Sequence, residues 1–195
     1  MSNNMVFPKN LSDEQPISHC VDAGVGWLVL NNPTQKNVLS CETMHQMTAR
    51  LAAFEADKAV RVIIIAAIGD VFCAGHDLKE LNAQRTNPDG GRAFFEKVMR
   101  QCVDMMAQIM SLSKPVIGVV DGLATAAGCQ LIATCDLAIC SAQSHFATPG
   151  VNIGLFCSTP MVALSRNVGR KQAMEMLLLG DNINADKAVE LGLVN

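Results

Sequence analysis

A local unit that occurs twice constrains this chain more than anything else in it. Residues 60–67 read VRVIIIAA and lead into VFCAGHDLKEL at 71–81; residues 114–120 read KPVIGVV and lead into GLATAAGCQLIATCD at 122–136. β-Branched runs of this kind form strands, and each passes through a turn of small residues into the start of a helix. Such a turn leaves backbone N–H groups free at a helix N-terminus, where they can hold an anionic oxygen. Two of these turns can supply one amide each to a single oxyanion, as an acyl carbonyl requires when it gains negative charge. Strands that alternate with helices need crossover connections, which predicts an α/β fold.

The segments around the two units read consistently with this. Residues 17–33, ISHCVDAGVGWLVLNNP, predict a β-hairpin turned at 22–24 and stopped by Pro33. Ser40 is placed to cap a helix running to about Asp57, with Met44, Met47, Leu51 and Phe54 on one face. The run at 60–67 predicts a buried strand, and NAQRTNPDGGR at 82–92 a polar loop. Val98, Cys102, Met105, Ile109 and Leu112 fall on one face of a long helix that Pro115 cannot continue. Further strands are expected at 116–120 and 137–140. Residues 170–179 predict a helix stopped by Gly180, and Asn184 caps a last short helix ending at Gly192. The first sixteen residues read as a disordered lead, leaving 17–195 as one core domain.

Composition excludes several function classes. The 195 residues suit one domain, and 50% hydrophobic against 17% charged residues allow a sizeable core. A net charge of −3 gives no electrostatic reason to bind nucleic acid or an anionic membrane. No apolar stretch reaches the length of a membrane span. The first residues show neither an apolar signal-peptide core nor an Arg-rich amphipathic pattern. The 8 cysteines form no C-x-x-C pair, so no zinc site is expected. Most lie in apolar runs, as free thiols do in reducing surroundings. Together these features predict a cytoplasmic protein without disulfides.

The two units, with FATPGVNIGLFCSTP at 146–160 and INADKAVELGLVN at 183–195, resemble the crotonase, or enoyl-CoA hydratase/isomerase, superfamily. The resemblance implies a ClpP-like spiral of ββα units, here without the C-terminal helical segment that relatives carry beyond this point. It implies an acyl-CoA thioester as substrate and partner, with coenzyme A entering as part of that substrate and no permanently bound cofactor. It also implies a homotrimer or a hexamer of paired trimers.

By the same resemblance, the oxyanion amides belong to His76 and Ala127. Residues Lys36, Asn37, Val38, Cys73, Ala74, Gly75, His76, Asp77, Leu78, Gly128 and Pro149 surround coenzyme A, with Lys36 offering charge to a phosphate. The His76 imidazole can act as acid or base, although its amide is the expected contributor, with the ring packed at the pocket rim. The positions of the two hydratase glutamates fall on Gln130 and Gly150. An amide is no general base near neutral pH, and glycine has no side chain. Gln130 can orient water or a carbonyl, or simply face solvent near a helix start. The acid used by dienoyl-CoA isomerase relatives falls on Ser158, within Cys157–Ser158–Thr159, which reads as small residues in a turn before Pro160 and only weakly as a nucleophile.

Three functions remain open at this level. The first is an acyl-CoA enzyme that relies on an oxyanion hole with few acid–base side chains, such as a decarboxylase or thioesterase. The second is a non-catalytic acyl-CoA binder. The third is an assembly protein with neither property.

Overall fold

The computed structural model describes residues 5–195. The hairpin forms from β1 (Ile17–Asp22) and β2 (Val25–Leu30), joined through Ala23 and Gly24, both at positive φ. This two-residue connection suits the right-handed strand twist. Helix α1 (Cys41–Ala56) follows, and the Ser40 side chain accepts from the Thr43 amide to cap it.

From there the chain repeats one manoeuvre. It runs β3 (Val62–Ala67), β4 (Val71–Cys73), the short α2 (Leu78–Ala83) and the long α3 (Arg92–Ser111). It then runs β5 (Val116–Val120), β6 (Leu123–Thr125) and α4 (Ala127–Thr134). The third pass is β7 (Leu137–Cys140), β8 (His145–Ala147) and α5 (Ser158–Asn167). Helix α6 (Arg170–Leu179), strand β9 (Ile183–Asn184) and helix α7 (Ala185–Leu191) complete the order.

In each pass the first strand joins one sheet and the second strand joins another. The larger sheet has the order β1-β2-β3-β5-β7 and the smaller β4-β6-β8-β9. In the larger sheet β2, β3, β5 and β7 run parallel, with Trp27, Ile64, Ile117 and Leu137 in one row. In the smaller sheet β4, β6 and β8 run parallel, with Val71, Leu123 and His145 in register. This is the spiral of ββα units expected from the sequence.

The long periodic elements fall where the sequence places them. Met44, Met47 and Leu51 of α1 and Val98, Cys102 and Met105 of α3 are buried with Ile63 and Ile65 of β3 in one core. Each such side chain contributes about 1.5–3 kcal/mol by leaving water. The smaller sheet was not foreseen. Its strands have two or three residues each, too few to show a period. Nor was α5, because Pro160 suggested a turn; proline is tolerated in a helix's first turn, where its missing N–H would have no partner. Residues 82–92, expected as loop, begin with the end of α2 and a 3-10 turn.

The lead expected to be disordered falls in two parts. Residues 1–4 lie outside the described residues. Residues 5–16 contain no helix or strand but are tied to the hairpin. Asn10 Nδ2 donates to the Val21 carbonyl at 3.1 Å, the Ser12 amide donates to the His19 carbonyl at 3.1 Å, and the Phe7 ring stands edge-on to Trp27. Among the described residues no helix is long and apolar enough to cross a membrane.

Helix α4 and strand β4 approach each other closely. A Cβ at Gly128 would stand 2.3 Å from the Cys73 carbonyl oxygen, so only glycine lets the helix start there. Two residues earlier, Ala126 holds φ 52° and ψ −119°, a conformation that costs a non-glycine residue about 1–3 kcal/mol. Gly128→Ala should destabilise by about 1–3 kcal/mol through overpacking, visible as a melting point lower by roughly 3–10 °C. Ala126→Gly should raise the melting point. The strain it relieves exceeds the added unfolded-state entropy of about 0.4–1 kcal/mol.

Candidate active site

The two small-residue turns meet because β4 and β6 are parallel neighbours. In the first turn the Ala74 amide donates to the Lys36 carbonyl at 3.1 Å, and the Gly75 carbonyl accepts from the Leu39 amide at 2.8 Å. Asp77 then caps α2, its Oδ1 accepting from the amides of Lys79 at 2.9 Å and Glu80 at 3.2 Å. Between them, the His76 amide donates to no partner among the described residues.

In the second turn the Ala126 amide donates to the Ala147 carbonyl at 2.9 Å, and the Ala126 carbonyl accepts from the Gln130 amide at 3.1 Å. Ala127 is the first residue of α4, so its amide has no intrahelical acceptor, and no other is recorded among the described residues. A Cβ on Gly75, whose φ is +90°, would come within 3.2 Å of the Ala127 nitrogen and 2.9 Å of the Ala126 Cβ. Glycine therefore keeps open the space beside the second free amide.

These turns border a partly open cavity of about 390 Å³. Of the residues singled out from sequence, Ala74, His76, Leu78, Ala127, Pro149, Gly150, Cys157, Ser158 and Thr159 line it. A second recess of about 320 Å³ shares Ala74, His76 and Leu78 and adds Lys36, Val38, Asp77 and Lys79. The two therefore form one cleft, apolar at one end and bearing two lysines at the other. Several lining residues gave no signal as site residues: Thr125, Met99, Leu81, Ile153, Leu155 and Phe156. The last three form an exposed apolar run inside the 146–160 segment, and that mismatch between composition and exposure was the only available clue.

Other positions sit elsewhere. Asn37 is buried; its Nδ2 donates to the carbonyls of Ile68 at 3.0 Å and Val71 at 2.7 Å, and its Oδ1 accepts from the Asn32 amide at 2.8 Å. It ties the 32–37 loop to the β3–β4 connection and lines neither recess. Cys73 and Gly128 are packed against each other below the turns. Gln130 does not face solvent, as one reading of the sequence had it: it is only 5% exposed, in a helix whose every residue is buried, and its Oε1 has no hydrogen-bond partner. It is not among the residues bordering the cavity. Ser158 begins α5 rather than lying in a turn.

Two titratable side chains border the apolar cavity, His76 and Cys157. Burial pushes the Cys157 thiol up from its ordinary value, against the opposing effect of the Gly150 amide. The deeper Cys73, Cys129 and Cys135 thiols are each pushed up to about 12 by burial. All eight cysteines are free, and none is poised as a thiolate. Burial lowers the pKa of His76, while the Leu39 carbonyl and the Glu80 carboxylate oppose that shift. Its Nδ1 and Nε2 are both shielded from solvent without a well-formed hydrogen bond. A shielded polar atom left unpaired costs about 1–3 kcal/mol. Among the described residues no group of three or more His, Cys, Asp or Glu could hold a metal ion.

Comparison with known proteins shows what this arrangement belongs to. The sequence profile of the enoyl-CoA hydratase/isomerase family matches residues 21–195. The Xenopus laevis protein named mitochondrial enoyl-CoA hydratase domain-containing protein 3 is 48% identical over 172 residues, 88% of this chain and 57% of its own. Its human counterpart is 45% identical over 184 residues, 94% of this chain and 59% of its own. The chain thus spans under three-fifths of the length of these relatives. The crystal structure of an enoyl-CoA hydratase from Mycobacterium smegmatis superimposes with a TM-score of 0.88 at 48% identity, covering 93% of this chain and 69% of that one. That of human enoyl-CoA hydratase domain-containing protein 3 gives 0.86 at 44% identity, covering 93% and 70%.

The relatives also correct the expected cytoplasmic location, since those from frog, zebrafish and human are all named mitochondrial. Free thiols argue for reducing surroundings, and such surroundings do not single out the cytosol. The spiral of ββα units, the family profile across most of the chain and the close sequence identities agree: the chain belongs to the enoyl-CoA hydratase/isomerase family.

Proposed function

We propose that this chain binds acyl-CoA thioesters, holds the thioester oxygen between the amides of His76 and Ala127, and does not hydrate double bonds. The observation that carries this reading is the approach of the two turns, which leaves both amides without partners where an apolar cavity begins. Preorganised donors of this kind stabilise a developing oxyanion more than the neutral carbonyl, each worth about 3 kcal/mol in comparable acyl-transfer sites. The acyl group suits the apolar end of the cleft. Lys36 and Lys79 stand at the other end, where the phosphates of coenzyme A belong.

Hydration needs a group to activate water and another to deliver a proton. No carboxylate borders the apolar cavity. Gln130 and Gly150, the positions carried over from the hydratase glutamates, cannot substitute. Gln130 is buried outside the cavity lining. A Cβ at Gly150 would stand 2.8 Å from the Cys157 Sγ and 2.9 Å from the Leu155 carbonyl oxygen, so the surrounding 155–157 backbone leaves no place for a larger residue. A decarboxylase or thioesterase reaction, or acyl-CoA binding without turnover, fits such a site better than hydration does. For assembly we propose a homotrimer or hexamer, supported by Leu137 and Ile139, both about half exposed on edge strand β7; sedimentation equilibrium should return a multiple of three chains, and a monomer would refute it.

Calorimetric titration with acetyl-CoA, butyryl-CoA and free CoA tests the binding. Each ester should bind and raise the melting point, by the equivalent of about 2.7 kcal/mol at one hundred times the dissociation constant. Absence of both effects would overturn the reading. Crotonyl-CoA hydration, followed by loss of enoyl absorbance, should be undetectable. Gly150→Glu should not restore it and should lower the melting point. Robust hydration by the unaltered protein would show that other groups supply acid and base.

A further inference from the structure

The cleft contains a titratable group for which acyl-CoA binding by itself has no use. His76 borders the apolar cavity and the lysine-bearing recess alike, next to Gly75, where the two turns meet. Neither ring nitrogen is held by a well-formed hydrogen bond and both are shielded from solvent, so the ring's donor and acceptor are uncommitted and reach the cleft only when the ring turns. Rotation by half a turn about Cβ–Cγ exchanges each nitrogen's place with that of a ring carbon.

The other ionisable groups along the cleft are poor proton acceptors. Cys157 is a thiol kept protonated by burial. Asp77 is engaged as the α2 cap. A lysine ammonium has donors only.

We propose that the His76 imidazole is the proton-transfer group of this site, acting on the α-carbon of a bound acyl thioester whose enolate oxygen the amides of His76 and Ala127 hold. The inference rests on the acyl-CoA reading above. In the forward step a neutral ring nitrogen takes the α-proton. The electrons of the broken C–H bond become the enolate, whose negative oxygen lies against the two amides. The imidazolium then returns a proton to the α-carbon, or to the γ-carbon of the dienolate formed from a β,γ-unsaturated ester, which shifts the double bond. Atoms and charges balance within the pair, and no further reactant is consumed. The groups that act on the ring are the burying cavity walls, the Leu39 carbonyl and Glu80 of α2, with Lys36, Asp77 and Lys79 bordering the adjoining recess. Burial is the largest influence and lowers the pKa from 6.5, leaving the ring neutral and able to accept a proton at pH 7.

The test is deuterium uptake at the α-carbon of butyryl-CoA in D₂O, read by mass spectrometry, with calorimetric binding measured in parallel. The unaltered protein should catalyse exchange at a rate that is level above about pH 6.5 and falls on acidification, as the base becomes protonated. His76→Gln should lose exchange by about 10²-fold or more, a larger loss than any change in butyryl-CoA affinity measured in parallel. His76→Ala should regain part of the lost rate when imidazole is added, a response that a merely structural role would not give. Binding by the unaltered protein without exchange, a rate that does not fall on acidification, or full exchange by His76→Gln would each overturn the proposal. Absence of any acyl-CoA binding would instead refute the underlying reading, and this proposal with it. The pH profile needs no variant, so the test stands even if a substitution fails to fold.

Discussion

Helix α4 begins against the carbonyl oxygen of Cys73, in a space where no side chain fits at Gly128. The rest of the site follows from that one approach. It brings the second turn down onto the first, so that Gly75 and Ala127 come almost into contact. The approach is possible because β4 and β6 are adjacent and parallel, which in turn reflects the two passes of the spiral that deliver them. Ala126 adopts its unfavourable conformation at this corner, where strand must become helix within a single residue. Burial of the whole of α4 holds that strain in place.

The chemistry of the cleft is shaped by what borders it. Amides are weak partners in water, but in a low-dielectric cavity fixed dipoles act with little competition. The same burial that strengthens them penalises charge on any side chain nearby. It keeps the cysteine thiols protonated and favours the neutral His76 ring. An environment of that kind suits reactions in which charge appears on the substrate oxygen and is held there by the backbone.

Sequence legibility followed element length. Helices α1 and α3 and strands β3 and β5 carry enough residues for a period or an apolar run to show, and their ends are marked by Ser40, Pro115 and flanking turns. Helices α6 and α7 were legible from Gly180, Asn184 and Gly192. Strands β4, β6, β8 and β9 were not, since a strand of two or three residues exists only through its neighbours. The start of α5 was obscured because Pro160 suggests a break in the abstract and is harmless in a first helical turn. Lys36 and Asn37 are adjacent in sequence and read alike. In the fold one is exposed beside the recess and the other is buried, bonded to three backbone groups.

The sequence by itself determined the alternation of strands and helices, the two small-residue turns, the family resemblance, and the lack of a carboxylate at Gln130 and Gly150. Those are properties of local composition and order, and each is set by residues near one another in the chain. Only the tertiary structure decided that the two turns touch and that Gln130 is buried away from the cavity lining. The same holds for the crowding of Gly150 by the Leu155 carbonyl and the Cys157 sulfur, and for the lack of any well-formed hydrogen bond to the His76 ring. Each depends on atoms that meet only after distant segments have packed, and the pattern of residue types along a single segment does not encode such distances.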